Sequence, residues 1–425
     1  MSKDGGRADV LRRTLSRRDA VVIGMGSMIG AGMFVVWSPA AESAGSFMLF
    51  SLLIVAVVAA CNAYSSAMLA ARYPTAGGTY VYGTKRLGPL PGFLAGWCFI
   101  VGKSASCVAM ALTLGAYVAP GHQRFAAVVA VLALTAANLS GLQRSARIST
   151  VIVSVVLAVV LGLGCSVAWA SVGGEPVFDL SGGLMSTTET SVYGILQGAG
   201  LLFFAFAGYA RIATLGEEVR DPERTIGQAI GITFVLVLAL YAGLGVLVIG
   251  VLGSDGTASS TAPIADVAEV VWGNGGVWAV GVAAAGAAAG ALLNMLLGIS
   301  RTTVAMARDA HLPRPLALTS GSHGLPQRAE IAVASIVLVL VLFVDLRGAI
   351  GFSSFGVLLY YTVANASAWT IRGQQRWQRV VPVLGLVGCL TLMASLPWVS
   401  VITGLVLVAL GIGWYAVTRR SRMAV

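Results

Sequence analysis

The stretch GMGSMIGAGMF, residues 24–34, has glycine at four of its eleven positions and lies inside a long apolar segment. Glycine costs a helix interior about 1 kcal/mol relative to alanine, so each of these residues needs a structural reason. Gly24 and Gly26 fit sites where two helices pack closely. Gly30 and Gly32 lie near the middle of the segment, where a membrane tolerates unwound backbone only beside a cavity or binding site. We therefore predict that the helix breaks at Gly30 and Gly32.

The composition of the whole chain is that of an integral membrane protein. Of its 425 residues, 57% are hydrophobic and 10% are charged, and the mean hydropathy is +0.87. Crossing the hydrocarbon layer, about 30 Å thick, takes about 20 apolar residues in a helix. Twelve such spans are predicted, starting near residues 20, 46, 91, 125, 149, 192, 226, 274, 330, 349, 380 and 398, with the last ending near residue 418.

The distribution of basic residues predicts the orientation. With the N-terminus in the cytoplasm, the 27 Lys and Arg lie on cytoplasmic tails, loops or span ends, with four exceptions: Arg124, Arg347, Lys103 and Arg211. Basic loops resist translocation, so this asymmetry places both termini in the cytoplasm. It also accounts for the net charge of +10 without a nucleic-acid partner. We expect a multi-pass protein of the cell membrane.

Motifs for catalysis or cofactor binding are not recognisable. The five cysteines lie in apolar spans and fit small packing residues, and the three histidines lie in loops without ligand spacing. We therefore expect no disulfide framework, no metal and no other cofactor. The sequence has no P-loop for ATP-driven transport, no catalytic constellation of a membrane enzyme and no repeated filter segment of a channel. Those classes are disfavoured relative to a secondary transporter.

A second glycine interrupts the sixth apolar span, GAGLLFFAFAGYARIATLGEEV (residues 198–219), at Gly208. The first and sixth spans are five apart, as expected for two inverted repeats of five spans each. The predicted organisation has five parts: a cytoplasmic tail (1–19), spans one to five (20–172), spans six to ten (191–371), two added spans (380–418) and a second cytoplasmic tail (419–425).

Two broken helices suit the binding of a zwitterion. A helix that begins inside the membrane presents free N–H groups and the positive end of its dipole to a carboxylate. A helix that ends there presents carbonyl oxygens to an ammonium group or a cation. We therefore predict that the breaks bind a small zwitterion through peptide groups. The alternative is that the glycines serve helix packing alone.

Four motifs, in order along the chain, resemble those of the amino acid-polyamine-organocation transporter superfamily. They are GMGSMIGAGMF (24–34), SSAMLAARYPTAGGTYVYGTKRLGPLPGFLAGW (65–97), FFAFAGYARIATLGEEVRDPERTIGQAI (203–230) and SRTTVAMARDAHLP (300–313). The resemblance implies an all-α membrane protein of the leucine-transporter type. In that fold, ten core helices form two inverted 5+5 repeats with helices 1 and 6 broken, and two C-terminal helices make twelve. It also implies transport of amino acids or related amines by alternating access.

The resemblance further implies a substrate site. The N–H groups of Gly30, Ala31 and Gly32 would meet the substrate carboxylate. Carbonyls around Phe204, Ala205 and Ala207 would meet its ammonium, and Phe204 lies where relatives place an aromatic gate. The full predicted substrate-binding set is Ile29, Gly30, Ala31, Gly32, Phe204, Ala205, Phe206, Ala207 and Gly208. Ordinary helix packing is the alternative for each of these residues.

Lys103 lies close to the middle of the third span and is a candidate for coupling. A charge at that depth costs about 2.5–3.5 kcal/mol on insertion scales and marks a functional candidate. Burial disfavours the charged form of an amine, which suits reversible proton binding during transport. Some proton-coupled relatives carry a lysine in the fifth span, but Val156 stands at that position here. The alternative for Lys103 is a structural pair or a snorkelling side chain.

Three further charges are coupling or gating candidates. Arg211 follows Ala210, where many relatives have an acidic residue, and it can pair with Glu217 or Glu218, close a gate or meet an acidic substrate. For the two glutamates, a solvated structural pair is the alternative. Two buried cations without a carboxylate at mid-membrane favour neutral or acidic amino acids as substrates.

The sequence thus predicts a secondary active amino acid transporter, with proton symport as the favoured coupling. An amino acid/amine exchanger and a permease for cationic amino acids or polyamines remain open alternatives. The expected partners are an amino acid, protons and the lipid bilayer.

Overall fold

The computed structural model describes residues 15–73, 77–140, 146–173, 177–184, 190–208, 212, 219–318, 326–373 and 375–423. Within these residues the chain is helical, apart from turns and one isolated β-bridge between Leu15 and Val219. The first nine helices are α1 (Arg17–Met28), α2 (Gly32–Val35), α3 (Trp37–Ala44), α4 (Met48–Arg72), α5 (Gly78–Leu87), α6 (Pro89–Val118), α7 (Gln123–Leu139), α8 (Ala146–Val172) and α9 (Leu180–Gly183). The others are α10 (Val192–Phe206), α11 (Pro222–Ser259), α12 (Pro263–Trp272), α13 (Asn274–Arg308), α14 (Gln327–Phe343), α15 (Leu346–Trp369), α16 (Arg376–Ser395) and α17 (Trp398–Met423). Short 3-10 helices cover Gly45–Phe47 and Arg314–Ala317.

Nine helical stretches of the described chain are long and apolar enough to cross a membrane, by length and composition. They correspond to nine of the predicted spans. The other three predicted spans contain the shorter helices α7, α10 and α14, of 17, 15 and 17 residues. Each predicted span therefore contains a helix, and the helix lengths and composition are those of a multi-pass membrane protein.

The bundle is built around α6, which packs against α13 and α15, while α4 packs against α10, α11 and α16. Large rings such as Tyr241 and Tyr361 are buried inside. The outward faces of α8 and α16 instead expose apolar side chains such as Leu161 and Leu384, the surface expected against lipid. The five cysteines are free thiols, and all except Cys165 are buried.

Two glycines allow α6 and α15 to approach each other closely. A Cβ atom on Gly356 would lie 2.8 Å from the Cα atom of Gly102 and 3.0 Å from the carbonyl oxygen of Cys98. Both neighbours are backbone atoms of α6, so added volume cannot be absorbed by a rotamer change and the helices would have to separate. Lys103 follows Gly102 directly, so this contact also sets where the Lys103 side chain enters the bundle.

Replacing Gly356 with alanine should destabilise the fold by about 1–3 kcal/mol, the usual cost of overpacking. Equilibrium unfolding in mixed detergent micelles measures the change. Gly286→Ala on α13 is the matched control, because a Cβ atom there meets nothing within 4 Å and alanine favours the helix. A Gly356→Ala protein as stable as wild type would contradict the close contact.

Candidate functional site

The first span is interrupted between Met28 and Gly32. α1 ends at Met28 and α2 begins at Gly32, and Ile29 between them has φ −77° and ψ 71°, outside the helical region. The Gly30 N–H donates to the Met28 carbonyl over 2.9 Å. The N–H groups of Ala31 and Gly32 have no hydrogen-bond partner among the described residues, as expected where a helix begins. The break therefore leaves free donors inside the bundle.

The glycines of this break serve close packing rather than unusual backbone angles. A Cβ atom on Gly32 would lie 2.9 Å from the Cα atom of Ala205 in α10, and one on Gly30 would lie 3.0 Å from the Cβ atom of Ala291 in α13. Neither glycine has a positive φ. Gly32 therefore allows the start of α2 to touch α10 near its end.

The described part of the sixth span ends at the same place. α10 ends at Phe206, and Ala207 and Gly208 follow it as a turn. A Cβ atom on Gly208 would collide with the carbonyl oxygen of Ser27 in α1. Because of these close approaches, the carbonyl ends of α1 and α10 and the N–H end of α2 lie side by side.

One tyrosine joins the ends of both spans. The Tyr241 hydroxyl, on α11, lies 2.8 Å from the Met28 carbonyl oxygen and 3.1 Å from the Ala205 carbonyl oxygen. A hydroxyl has a single hydrogen, so the two carbonyls share one donor. The Tyr241 side chain is 1% exposed, and buried carbonyls need such a partner. The sequence analysis missed Tyr241, because an apolar span does not reveal which tyrosine faces a helix end.

A small cavity lies between these helix ends, and its volume of about 20 Å³ leaves room for about one water molecule. Most of the predicted substrate-binding residues line it: Gly30, Ala31, Gly32, Phe204, Ala205, Ala207 and Gly208. Two predicted residues do not line it. Ile29 is buried in the core, and Phe206 packs edge-on against Tyr241 with 5.1 Å between ring centroids. An amino acid is larger than this space, so side chains such as Phe204 must move to admit one.

Lys103 reaches the same cavity from α6. Its side chain is 4% exposed, and its ammonium donates to the Ala207 carbonyl over 3.3 Å. That carbonyl is one of those predicted for the substrate ammonium. The lysine therefore binds at the negative end of the α10 dipole, where cations are stabilised. None of the residues described along the cavity wall is a carboxylate.

Further residues that were not predicted also line the cavity, among them Ser27 and Met28 at the end of α1. Ser106 and Met110 contribute from α6, and Met295 contributes from α13. The Ser106 hydroxyl oxygen lies 2.6 Å from that of Ser353 in α15. Lys103, Ser106 and Met110 are spaced i, i+3 and i+7, which places them on one face of a helix. Ser106 and Met110 could therefore have been predicted from their helical spacing relative to Lys103.

The remaining coupling and gating candidates, Arg211, Glu217 and Glu218, lie outside the described residues, so their roles stay predictions. Within the described chain, groups of His, Cys, Asp and Glu that could hold a metal ion do not occur.

A helical membrane bundle with a small buried cavity between interrupted helices is the architecture of a transporter. The chain belongs to the amino acid permease family, whose pattern it matches over residues 15–422. This confirms the resemblance to the amino acid-polyamine-organocation superfamily.

Several named proteins are similar to this chain over most of its length. An uncharacterized transporter of Mycobacterium tuberculosis is 52% identical over 420 residues, covering 97% of this chain and 94% of that protein. The branched-chain amino acid permease BcaP of Bacillus subtilis is 25% identical over 450 residues, covering 97% and 94%. The vacuolar cationic amino acid transporter 4 of Arabidopsis thaliana is 27% identical over 394 residues, covering 85% and 64%. These relatives are transporters and permeases rather than enzymes.

Removing the Tyr241 hydroxyl should leave two buried carbonyls without their shared donor. Tyr241→Phe is therefore expected to destabilise the protein by about 1–3 kcal/mol, the cost of an unsatisfied buried polar group. Equilibrium unfolding in mixed micelles provides the measurement. Tyr82→Phe is the matched control, since the Tyr82 hydroxyl is buried without a hydrogen-bond partner in the described structure. Equal effects of the two substitutions would show that the Tyr241 hydrogen bonds contribute nothing.

Proposed function

We propose that this protein is a secondary active transporter that moves amino acids across the cell membrane by alternating access. The observation that carries the proposal is the meeting of three helix ends around one buried cavity. A zwitterion needs an anion site and a cation site a few ångströms apart. The N–H end of α2 and the carbonyl ends of α1 and α10 supply both from the backbone.

A leucine-transporter-type fold with twelve transmembrane helices fits this arrangement. Residues 20–172 form the first repeat of five helices, residues 191–371 form the inverted second repeat, and residues 380–418 form two additional helices. The interruptions in the first and sixth segments, five apart, support this assignment. The placement of Lys and Arg supports cytoplasmic N- and C-termini.

The substrate carboxylate binds to the N–H groups of Ala31 and Gly32. Both residues line the cavity, and their N–H groups have no partner among the described residues. Gly30 contributes less than the resemblance implies, because its N–H already donates to the Met28 carbonyl. Phe204 acts as the gate, since its ring lies against the start of α2 and lines the cavity.

The substrate ammonium binds at the carbonyl end of α10, beside Lys103. A carbonyl oxygen has two lone pairs, so the Ala207 carbonyl can accept from Lys103 and from the substrate together. A protonated Lys103 repels the substrate ammonium as well, and the substrate carboxylate in the same small cavity offsets this repulsion. A second positive charge on the substrate would have no such offset. Two like charges 4 Å apart cost about 4 kcal/mol at an effective dielectric constant of 20. We therefore favour neutral or acidic amino acids as substrates.

A permease for cationic amino acids or polyamines is the second candidate. Its support is the similarity to a plant transporter that is named for cationic amino acids. It requires that Lys103 be neutral when the substrate is bound.

Proton symport is the proposed coupling, with Lys103 as the proton carrier. The buried amine has one described hydrogen-bond partner, the Ala207 carbonyl, and its protonation changes the charge of the cavity wall by one unit. Each passage through the cycle would therefore move one proton with the substrate. In the exchanger alternative, Lys103 stays protonated and a second amine replaces the first.

Transport by the purified protein in liposomes tests the proposed function. We expect uptake of labelled leucine or glutamate to exceed uptake of arginine, and an inward proton gradient to drive it while a sodium gradient does not. Fast exchange at zero gradient with no effect of a proton gradient would favour the exchanger. Failure to transport any amino acid would contradict the function.

Neutralising the buried lysine should uncouple transport from protons. A gradient of one pH unit is worth about 1.4 kcal/mol per proton and can drive about tenfold accumulation. For Lys103→Gln we expect this accumulation to be lost and the pH dependence of uptake to flatten. Lys85→Gln is the matched control, because Lys85 is exposed on α5. A Lys103→Gln protein with an unaltered pH dependence would remove this lysine from the mechanism.

A further inference from the structure

A second buried ionisable side chain lies away from the cavity, in the first turn of α14. Glu330 is 1% exposed, and its Oε1 atom has no hydrogen-bond partner in the described part of the chain. The polar side chain of Asn138, near the end of α7, lies beside this carboxyl group. Asn138 is itself held by α13, because its Nδ2 donates to the Leu293 carbonyl over 3.1 Å. Three helices therefore enclose the carboxyl group.

Among the described residues, no basic side chain forms an ion pair with this carboxyl group. The elements packed against α14 are α6, α7, α13 and the 3-10 helix Arg314–Ala317. Their basic side chains are engaged elsewhere or exposed. Lys103 donates to Ala207 and Arg124 donates to the Leu342 carbonyl at the other end of α14. The exposed basic side chains are Arg301, Arg308 and Arg314 on the neighbouring elements and Arg328 on α14 itself.

This environment supports a neutral carboxyl group and not a carboxylate. A carboxylate has about four acceptor positions to satisfy, and the Asn138 amide is the one described polar side chain known to influence it. The start of a helix favours negative charge, but this gain is smaller than the penalty for burying an unpaired charge. A metal cation would need several oxygen ligands, which one carboxyl group and one amide do not provide. A proton requires only the carboxyl group itself.

We propose that Glu330 is a proton-binding site that keeps its proton while α7, α13 and α14 are packed and releases it when water enters their contact. On release, the carboxyl O–H bond breaks and the proton is transferred to a water molecule. The carboxylate that remains is then solvated by water. The site is separate from the cavity, because neither Glu330 nor Asn138 lines it.

Infrared spectroscopy of the purified full-length protein, in a detergent without ester or carboxyl groups, tests this proposal. At neutral pH the wild type should show the C=O stretching band of a neutral carboxyl group, which carboxylates lack. Glu330→Gln should lose this band. Glu269→Gln should keep it, because Glu269 is exposed on α12. A wild-type spectrum without the band, or a Glu330→Gln spectrum that retains it in full, would overturn the proposal.

A second variant keeps the test decisive if Glu330→Gln does not fold. Asn138→Leu leaves the carboxyl group in place and removes the amide beside it, the nearest available hydrogen-bond donor. The band of Glu330 should then shift to higher frequency, since a C=O group free of hydrogen bonds has a stiffer bond. An unshifted band would show that the neutral carboxyl group is not Glu330.

Discussion

The arrangement of this site depends on backbone N–H and C=O groups that have no hydrogen-bond partner within a helix. Where α1 stops at Met28 and α2 starts at Gly32, donors and acceptors of the backbone lie inside the bundle, far from the water that would otherwise hydrogen-bond to them. Close packing of the helix ends and one hydroxyl group compensate for the missing water. Gly32 and Gly208 bring α1, α2 and α10 together, and Tyr241 donates to the carbonyl ends of two helices. The N–H groups of Ala31 and Gly32 have no hydrogen-bond partner among the described residues.

The site also contains a charged side chain, Lys103, in addition to backbone peptide groups. Its ammonium already donates to the Ala207 carbonyl, so the carbonyl end of α10 carries a cation that belongs to the protein. In the proposed function, the backbone provides the anion site, whereas the cation site is shared between the backbone and the Lys103 amine. The protonation of that amine would then alter how strongly the cavity holds a substrate ammonium.

Much of this arrangement was predictable from sequence, and the limits have physical reasons. Glycines at mid-span depth predicted the break at Gly30 and Gly32, because lipid excludes unwound backbone elsewhere, and the same reasoning located Gly208. Ile29 and Phe206 were placed at the site by resemblance, but both side chains are buried in the core. Phe206 faces away because neighbouring residues on a helix point in different directions, and Ile29 lies in the break, where the direction of a side chain does not follow from helical spacing. Tyr241 could not be predicted, because its partners come from spans more than 30 residues away in sequence. The burial of Glu330 could not be predicted either, because the residues of α7 and α13 that lie close to it are distant in the sequence.

An experimentally determined density map of the protein with a bound amino acid tests the central claim most directly. The account predicts that helical density ends at Met28 and begins again at Gly32, with the ligand carboxylate about 2.9 Å from the Ala31 and Gly32 nitrogens. Continuous helical density through residues 29–31, or a carboxylate bound by side chains away from this break, would contradict it.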